Sequence, residues 1–379
     1  MHPTSRATRV RWCQTPGMVD WLRFGADMED LATQSLRTGK RVTGLLGPTI
    51  IQPYRGFVAD GIANVRARVM EKPVFDTQPG LRIDATLAGN LLRWVVLDMA
   101  GVEVTVTVAG KSVTVNSNAD GFVIAKVPVG DIEPGWHEVQ FSAVDRGTEI
   151  SARGRVVLPD PASKVGFITD IDDTILTTGM TDGLKALRRT LLRDANGRRP
   201  VPGTPSLYRG LARGTTTRPE STFFYVSSGP WNLYDMLVQF LGVRGFPRGP
   251  LFLTDWRPGS PTNDEDGKFE SHHKTARIRR ILDAYPDMSF ILIGDSGERD
   301  PEIYQEFLES DPDRIELAMI RDVAAQPAEV EVETVIEGPD SASLVTVRDS
   351  IEMAVIARRL GLIDELTVEE VMTEIDARL

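Results

Sequence analysis

Across 379 residues the chain has a single cysteine, Cys13. One thiol excludes an internal disulfide framework and any thiolate zinc cluster, and a reducing, cytoplasmic setting is the expectation. No run approaches the roughly 18 uninterrupted apolar residues of a membrane span, so none is predicted. The first 17 residues hold Arg6, Arg9 and Arg11 but no apolar stretch of the signal-peptide kind. Internal repeats and low-complexity tracts are absent. Positive charge is in deficit, with 43 Lys+Arg against 54 Asp+Glu and a formal net charge of -11. That balance argues against general nucleic-acid binding and leaves open a local basic face. What is present, 41% hydrophobic and 26% charged residues, is ordinary globular composition with chain enough for two or three domains.

The patterning divides the chain. Residues 1–17 are expected to be a disordered leader. Residues 18–48 form an amphipathic helix with Trp21, Leu22, Phe24, Met28, Leu31 and Leu36 on one face, and Met18 is a second candidate start. Over 49–160 the period is two: Val102, Val104, Val106 and Val108 alternate with Glu103, Thr105 and Thr107, and turns at Ala109-Gly110 and Asn118–Gly121 separate short strands. Such a run predicts an all-β sandwich resembling immunoglobulin-like or transthyretin-like modules, without catalytic residues and with an unknown protein partner. After Pro159–Ser163, residues 161–325 alternate apolar strands with amphipathic helices, which predicts a doubly wound parallel α/β sheet. A small insert, about 176–221, interrupts it, and residues 326–379 supply helices that close on it.

Chemistry gathers at the strand ends. Asp170-Ile-Asp172-Asp-Thr174 sets two carboxylates where an apolar strand stops, at the edge where α/β sheets bind ligands. One carboxylate there can attack phosphorus, and the second can protonate the leaving alkoxide and later activate water. The strand Phe223–Val226 ends in Ser227-Ser228-Gly229, a hydroxyl suited to a phosphoryl oxygen or, alternatively, to capping a helix. Lys274, after His272-His273, opens a helix and can neutralise phosphoryl charge. Gly294-Asp295-Ser-Gly-Glu298-Arg-Asp300 follows another apolar strand and reads either as a hard-cation site or as an acidic loop. Asp170, Ser227, Lys274 and Asp295 are separated by 57, 47 and 21 residues.

In this order the four elements resemble the haloacid-dehalogenase (HAD) superfamily phosphatases. The wording of Asp170–Thr174, Tyr225–Tyr234, Gly249–Trp256, His273-Lys274 and Gly294–Tyr304 is similar to the actin-patch-protein type phosphatidate phosphatases, relatives of the lipins, over about Val165 to Val323. Thr254 stands where that family leads one to expect a basic residue. The resemblance implies a HAD-like, Rossmann-type catalytic domain behind the β-sandwich. It implies that Asp170 becomes a phospho-aspartate, that Asp172 is the acid/base, that Asp170, Asp295 and the Asp172 carbonyl hold Mg²⁺, and that Ser227 and Lys274 hold the phosphoryl group. Asp300 would orient Lys274 or a metal-bound water, and Thr174 would shape the loop. Ser228, Gly229, His273, Asp255, Trp256, Arg188 and Arg189 are the candidate substrate contacts.

The insert is too short for a large cap, so a bulky substrate presented from a surface fits best. Between Met180 and Arg218 nine basic residues face two acids, and Leu184, Leu187, Leu191 and Leu192 share a helix with four of the charges. Such a segment suits anionic lipid. The expectation is therefore a Mg²⁺-dependent phosphatidate phosphatase, cytoplasmic and peripheral to a membrane, with phosphatidate as its partner and no nucleic acid. The alternatives are another phosphomonoester (a phosphoprotein, lysophosphatidate or a nucleic-acid 3′-phosphate) or a non-catalytic phospho-receiver.

Overall fold

A computed structural model of the chain describes residues 48–71, 97–176, 199–254, 268–323 and 343–377, the side chains of 97 and 268–272 excepted. The expected leader, nearly all of the helix over 18–48 and the basic helix near 181–193 lie outside them. No helix among the described residues is long and apolar enough to cross a membrane.

Eight strands make the first sheet: β1 (Thr49–Ala59), β2 (Ile62–Glu71), β3 (Leu97–Asp98), β4 (Glu103–Val108), β5 (Lys111–Asn116), β6 (Phe122–Pro128), β7 (Gly135–Asp145) and β8 (Thr148–Leu158). The period of two works as expected in β4, where Val104, Val106 and Val108 are buried and the intervening residues are not. Ala109 and Gly110 both have positive φ (47° and 74°), the backbone that a two-residue hairpin between twisted strands demands.

The expected architecture, a HAD-like Rossmann-type domain behind an immunoglobulin- or transthyretin-like sandwich, is corrected here. The β strands form one mixed sheet in the order β3-β2-β1-β8-β7-β4-β5, with β6 also paired to β2. β1 runs antiparallel to β2 but parallel to β8, at Gly56 opposite Val156 and Phe57 opposite Val157. β5 and β6 approach each other across the open side, so the sheet curls nearly into a barrel. Alternation reports that one face of each strand is buried. It is silent on whether that face looks at a second sheet or into the hollow of its own.

The second sheet is all-parallel. Its strands are β9 (Val165–Asp170), β10 (Phe223–Pro230), β11 (Leu251–Thr254), β12 (Ser289–Asp295), β13 (Ile315–Arg321) and β14 (Ser343–Val347), in the order β11-β10-β9-β12-β13-β14. Strand–helix alternation licensed a parallel sheet; the named superfamily fold went beyond that. From β9 the chain moves outward to β10 and β11 on one side, then returns to β12, β13 and β14 on the other. The order therefore reverses beside β9, and the crevice at its carboxyl end is where ligands of open α/β sheets settle.

Among the described residues six helices cover this sheet: α1 (Thr204–Arg213), α2 (Tyr234–Arg244), α3 (Lys268–Ala284), α4 (Asp300–Ser310), α5 (Ser350–Arg359) and α6 (Glu365–Asp376). On one face Phe167, Phe223 and Ile293 pack with Leu207, Leu237, Met353 and Val368 of α1, α2, α5 and α6. On the other, Ile168, Phe224 and Leu292 pack with Ile278 and Ile281 of α3 and Ile303 and Phe307 of α4.

The two sheets share their cores. Tyr54 of β1, 2% exposed, lies 4.5 Å from the Trp231 ring and 4.6 Å from the Tyr234 ring. The backbone N–H of Arg55 donates to the Tyr234 hydroxyl at 2.7 Å. Phe57 meets Phe252 and Tyr285 on the other face, and the Tyr285 hydroxyl donates to the Val58 carbonyl at 3.1 Å. A buried aromatic at such a seam carries much of the docking energy, and Tyr54→Ala is expected to cost about 3–5 kcal/mol. A lowered urea midpoint for the parallel sheet checks this; an unmoved midpoint would show that the seam does not support it.

Candidate active site

Strand β9 brings its last residue, Asp170, to full burial on the face covered by α3 and α4. The chain then turns sharply. Asp173 takes positive φ (48°), a conformation that aspartate tolerates better than most residues. The turn closes with Thr174 N–H donating to the Asp172 carbonyl at 2.6 Å and Ile175 N–H to the Ile171 carbonyl at 3.1 Å. Asp172 is thereby set beside β10, where its Oδ2 accepts from the Ser227 hydroxyl at 3.0 Å. Ser227 Oγ in turn accepts from Gly229 N–H at 2.9 Å.

Lys274 arrives from α3 by helical arithmetic. Ile278, Ile281, Leu282 and Tyr285 form its buried stripe, and Lys274 occupies the next position of that stripe toward the N-terminus, 3% exposed. Its ammonium lies 2.8 Å from Asp170 Oδ1 and 3.0 Å from Glu298 Oε2, and also pairs with Asp300 Oδ1. Asp300 obeys the same rule on α4, one turn before Ile303, Tyr304, Phe307 and Leu308. Gly294 gives it room, because a Cβ there would sit 2.3 Å from Asp300 Oδ2. Asp295 ends β12, accepting from Gly297 N–H at 2.7 Å and from the Thr174 hydroxyl at 3.3 Å.

The structure therefore brings together Asp170, Asp172, Thr174, Ser227, Ser228, Gly229, Lys274, Asp295 and Asp300. His273 is elsewhere: it sits one residue round the helix from Lys274, and its Nε2 accepts from Arg277 at 3.4 Å. Arg188, Arg189, Asp255 and Trp256 lie outside the described residues. Sequence reasoning missed Glu298, which bonds both Lys274 and, at 3.4 Å, the Ser228 hydroxyl. Its signal was present in the acidic run after β12, where Asp295 and Asp300 drew the assignments.

Five carboxylates surround one ammonium, and the electrostatics follow. Burial pushes Asp172 up to about 7, helped by Glu298 and opposed by the Ser227 hydrogen bond. Burial, with Asp300 and Glu298 nearby, raises Asp295 to about 7 as well. Asp300 rises to about 6 by burial against the pull of Lys274. Asp170 is raised well above the carboxylate range by burial, which outweighs Lys274. For Lys274, burial alone would favour the neutral amine, but Asp170, Asp300 and Glu298 reverse this and hold the proton firmly.

Such a surplus of negative charge can hold a metal. Asp170, Glu298 and Asp300 each place a carboxylate oxygen within 4.8 Å of the others, but Lys274 is already the cation among those three. Asp170 Oδ2 and Asp172 Oδ1 are buried and have no hydrogen-bond partner among the described residues. These oxygens, with Asp295 close by, are hard donors of the kind a divalent cation takes, so the residues fit one.

With this geometry in view, the comparisons with known proteins become specific. Residues 165–322 match the family described as "Phosphatidate phosphatase APP1, catalytic domain". That segment is similar to the APP1-type phosphatidate phosphatases. The phosphatidate phosphatase APP1 of Saccharomyces cerevisiae is 32% identical over 189 residues, 46% of this chain and 30% of that protein. An uncharacterized protein of Schizosaccharomyces pombe is 27% identical over 160 residues, 42% of this chain and 25% of its own length. The chain thus spans less than a third of either relative. Among solved structures, a carbohydrate acetylesterase from Xanthomonas citri aligns at TM-score 0.25 and 12% identity over 72% of this chain and 68% of its own. A β-glucuronidase from Bacteroides uniformis aligns at TM-score 0.23 and 8% identity over 73% and 33%. Likeness at that level says nothing about chemistry. Every residue of the carboxylate–lysine cluster falls inside the APP1-type segment.

The raised carboxylates set a pH dependence. Between the ordinary value of 3.8 and about 6 to 7, the folded protein keeps protons on Asp172, Asp295 and Asp300 that the unfolded chain has released. Their contribution to stability therefore falls as pH rises across that window. In urea titrations with chelator at pH 5 and pH 7, Asp295→Asn should flatten the difference. An unchanged slope would mean that Asp295 is not raised.

Proposed function

We propose that the chain is a Mg²⁺-dependent phosphatidate phosphatase that releases diacylglycerol and phosphate through a phospho-aspartyl intermediate, acting from the cytoplasm on a membrane surface. The observation that carries this reading is the pairing at the carboxyl edge of β9. There a buried carboxylate is held by a lysine through one oxygen and left open at the other, 0% exposed. The match of residues 165–322 to a phosphatidate phosphatase family supports the substrate.

In this reading the open oxygen of Asp170 attacks phosphorus as the ester P–O bond breaks, and the phosphoryl group passes to the carboxylate. Asp172, poised near neutrality, protonates the departing alkoxide of diacylglycerol. It then takes a proton from the water that attacks the phospho-aspartate, which regenerates Asp170 and frees phosphate. Lys274 offsets charge on the transferring oxygens, and Ser227 offers them its hydroxyl once it turns from Asp172. Asp170, Asp295 and the Asp172 backbone carbonyl would hold Mg²⁺, whose charge would further stabilise those oxygens. Asp300 and Glu298 keep the lysine ammonium charged and in place.

Phosphate release from phosphatidate in mixed micelles, with and without Mg²⁺, tests the reading beside an aryl phosphate and glycerol 3-phosphate. Asp170→Asn should abolish release, and Asp172→Asn should lower kcat by about 10²–10⁴-fold. Release from the aryl ester alone would discard the lipid, and release that survives Asp170→Asn would discard the nucleophile.

A further inference from the structure

The loop after β9 is tied to the neighbouring strands at two points. The Thr174 hydroxyl donates to Asp295 Oδ2 at 3.3 Å. Arg321, the last residue of β13, donates from Nη1 to the Asp173 carbonyl at 2.7 Å, across 148 residues of sequence. Asp295 and Arg321 stand opposite each other where β12 and β13 end, so both ties reach the loop from one corner of the sheet.

Arg321 is fixed at its base. Its backbone pairs with Asp295 on one side and with Val347 of β14 on the other. Its carbonyl accepts from Ser296 N–H at 2.9 Å, and the Asp322 N–H donates to the Val347 carbonyl at 2.8 Å. By strand alternation its stem shares a face with Leu317 and Met319, which belong to the same core as Ile171, Ile175 and Leu176 of the loop. Its Nε is buried and has no hydrogen-bond partner among the described residues. The hydrogen bond to the loop is the use its guanidinium finds there.

The carbonyl it holds belongs to the residue in most need of support. Asp173 has φ 48°, a conformation that a side chain with a Cβ disfavours. The turn is closed by the N–H groups of Asp173, Thr174, Ile175 and Leu176, but every one of their acceptors lies within 171–176. Those bonds shape the turn without orienting it against the sheet. A charged, planar donor anchored on β13 sets the Asp173 carbonyl in direction as well as distance.

We propose that Arg321 is a positioning residue: its guanidinium fixes the left-handed turn at Asp173 and so holds Asp172 beside Ser227. It touches no reacting group and acts through the Asp173 backbone. Its consequence for turnover rests on the hydrolysis proposed above, whereas the fixing of the turn does not.

Two variants of the full chain test this. Arg321→Met keeps an apolar stem and loses the donors, and Arg321→Lys keeps a charged donor. Hydrogen exchange over residues 171–176, read by mass spectrometry, needs no turnover. Arg321→Met should exchange these amides about tenfold faster with the rest of the parallel sheet unchanged, and Arg321→Lys should fall between it and the parent. On phosphatidate micelles with Mg²⁺, Arg321→Met should lower kcat about tenfold at near-parent KM, since substrate is still bound while the acid/base is misplaced. Arg321→Lys should recover part of that loss. Parent-like exchange over 171–176 in Arg321→Met would overturn the proposal. So would faster exchange spread through the whole sheet, which marks a general loss of stability. Local loosening with a parent-like kcat would overturn the role in turnover. A parent that releases no phosphate would sink the phosphatase reading instead, and the exchange result would then decide alone whether Arg321 fixes the turn.

Discussion

One buried ammonium organises the parallel-sheet half of this protein. Lys274 is 3% exposed and meets Asp170, Glu298 and Asp300 together. Burying a lone ammonium is costly, and burying several carboxylates without a cation costs more. Each side is tolerable only because the other is present. The contact therefore fastens three pieces of chain far apart in sequence: the end of β9, the N-terminal half of α3 and the loop that leads into α4. Loss of either partner would leave uncompensated charge in the core, so the cluster constrains the fold as much as it prepares a reaction.

The same cluster also explains why the site is unbalanced. One lysine cannot neutralise five acids, and the remainder shows as raised affinities for protons at Asp172 and Asp295. Protons and a divalent cation are alternative ways to settle that excess. A carboxyl held near neutrality can give and take a proton at physiological pH, which is the property an acid/base needs. Local backbone makes the arrangement possible at two points. The left-handed turn at Asp173 brings Asp172 back beside Ser227, and the missing side chain at Gly294 admits Asp300.

Much of the cluster was legible in the sequence because its parts obey one-dimensional rules. Asp170 and Asp295 close apolar strands, Ser227 follows the apolar run of β10, and Lys274 and Asp300 extend the apolar stripes of α3 and α4 by one turn. A charge in register with a buried stripe is a strong sign of a buried charge. Glu298 escaped because it sits on a loop, where no period says which way a side chain faces. The β region was misjudged for a related reason: alternation fixes which residues of β4 are buried, but the parallel pairing of β1 with β8 is a long-range fact. Helix α1 and strand β14 were likewise not foreseen. Their places depend on contacts such as Ser206 with Glu374 and Leu317 opposite Ser343, which no local window contains.

The seam shows how the two sheets act on each other. Four residues separate Ser227 from Trp231, and Trp231 is sandwiched among Tyr54, Phe122 and the guanidinium of Arg66. A strand end held that close to a packed aromatic has little freedom, since the 3₁₀ turn Trp231–Leu233 runs straight into α2. Asn232, in the same turn, accepts a hydrogen bond from Arg68, which Asp98 orients. The N-terminal sheet thus grips the segment just beyond the Ser227 hydroxyl with both packing and hydrogen bonds. Preorganisation of that hydroxyl is therefore a property of both sheets together, and a change at Tyr54 or Arg68 reaches Ser227 through a short, rigid stretch of chain.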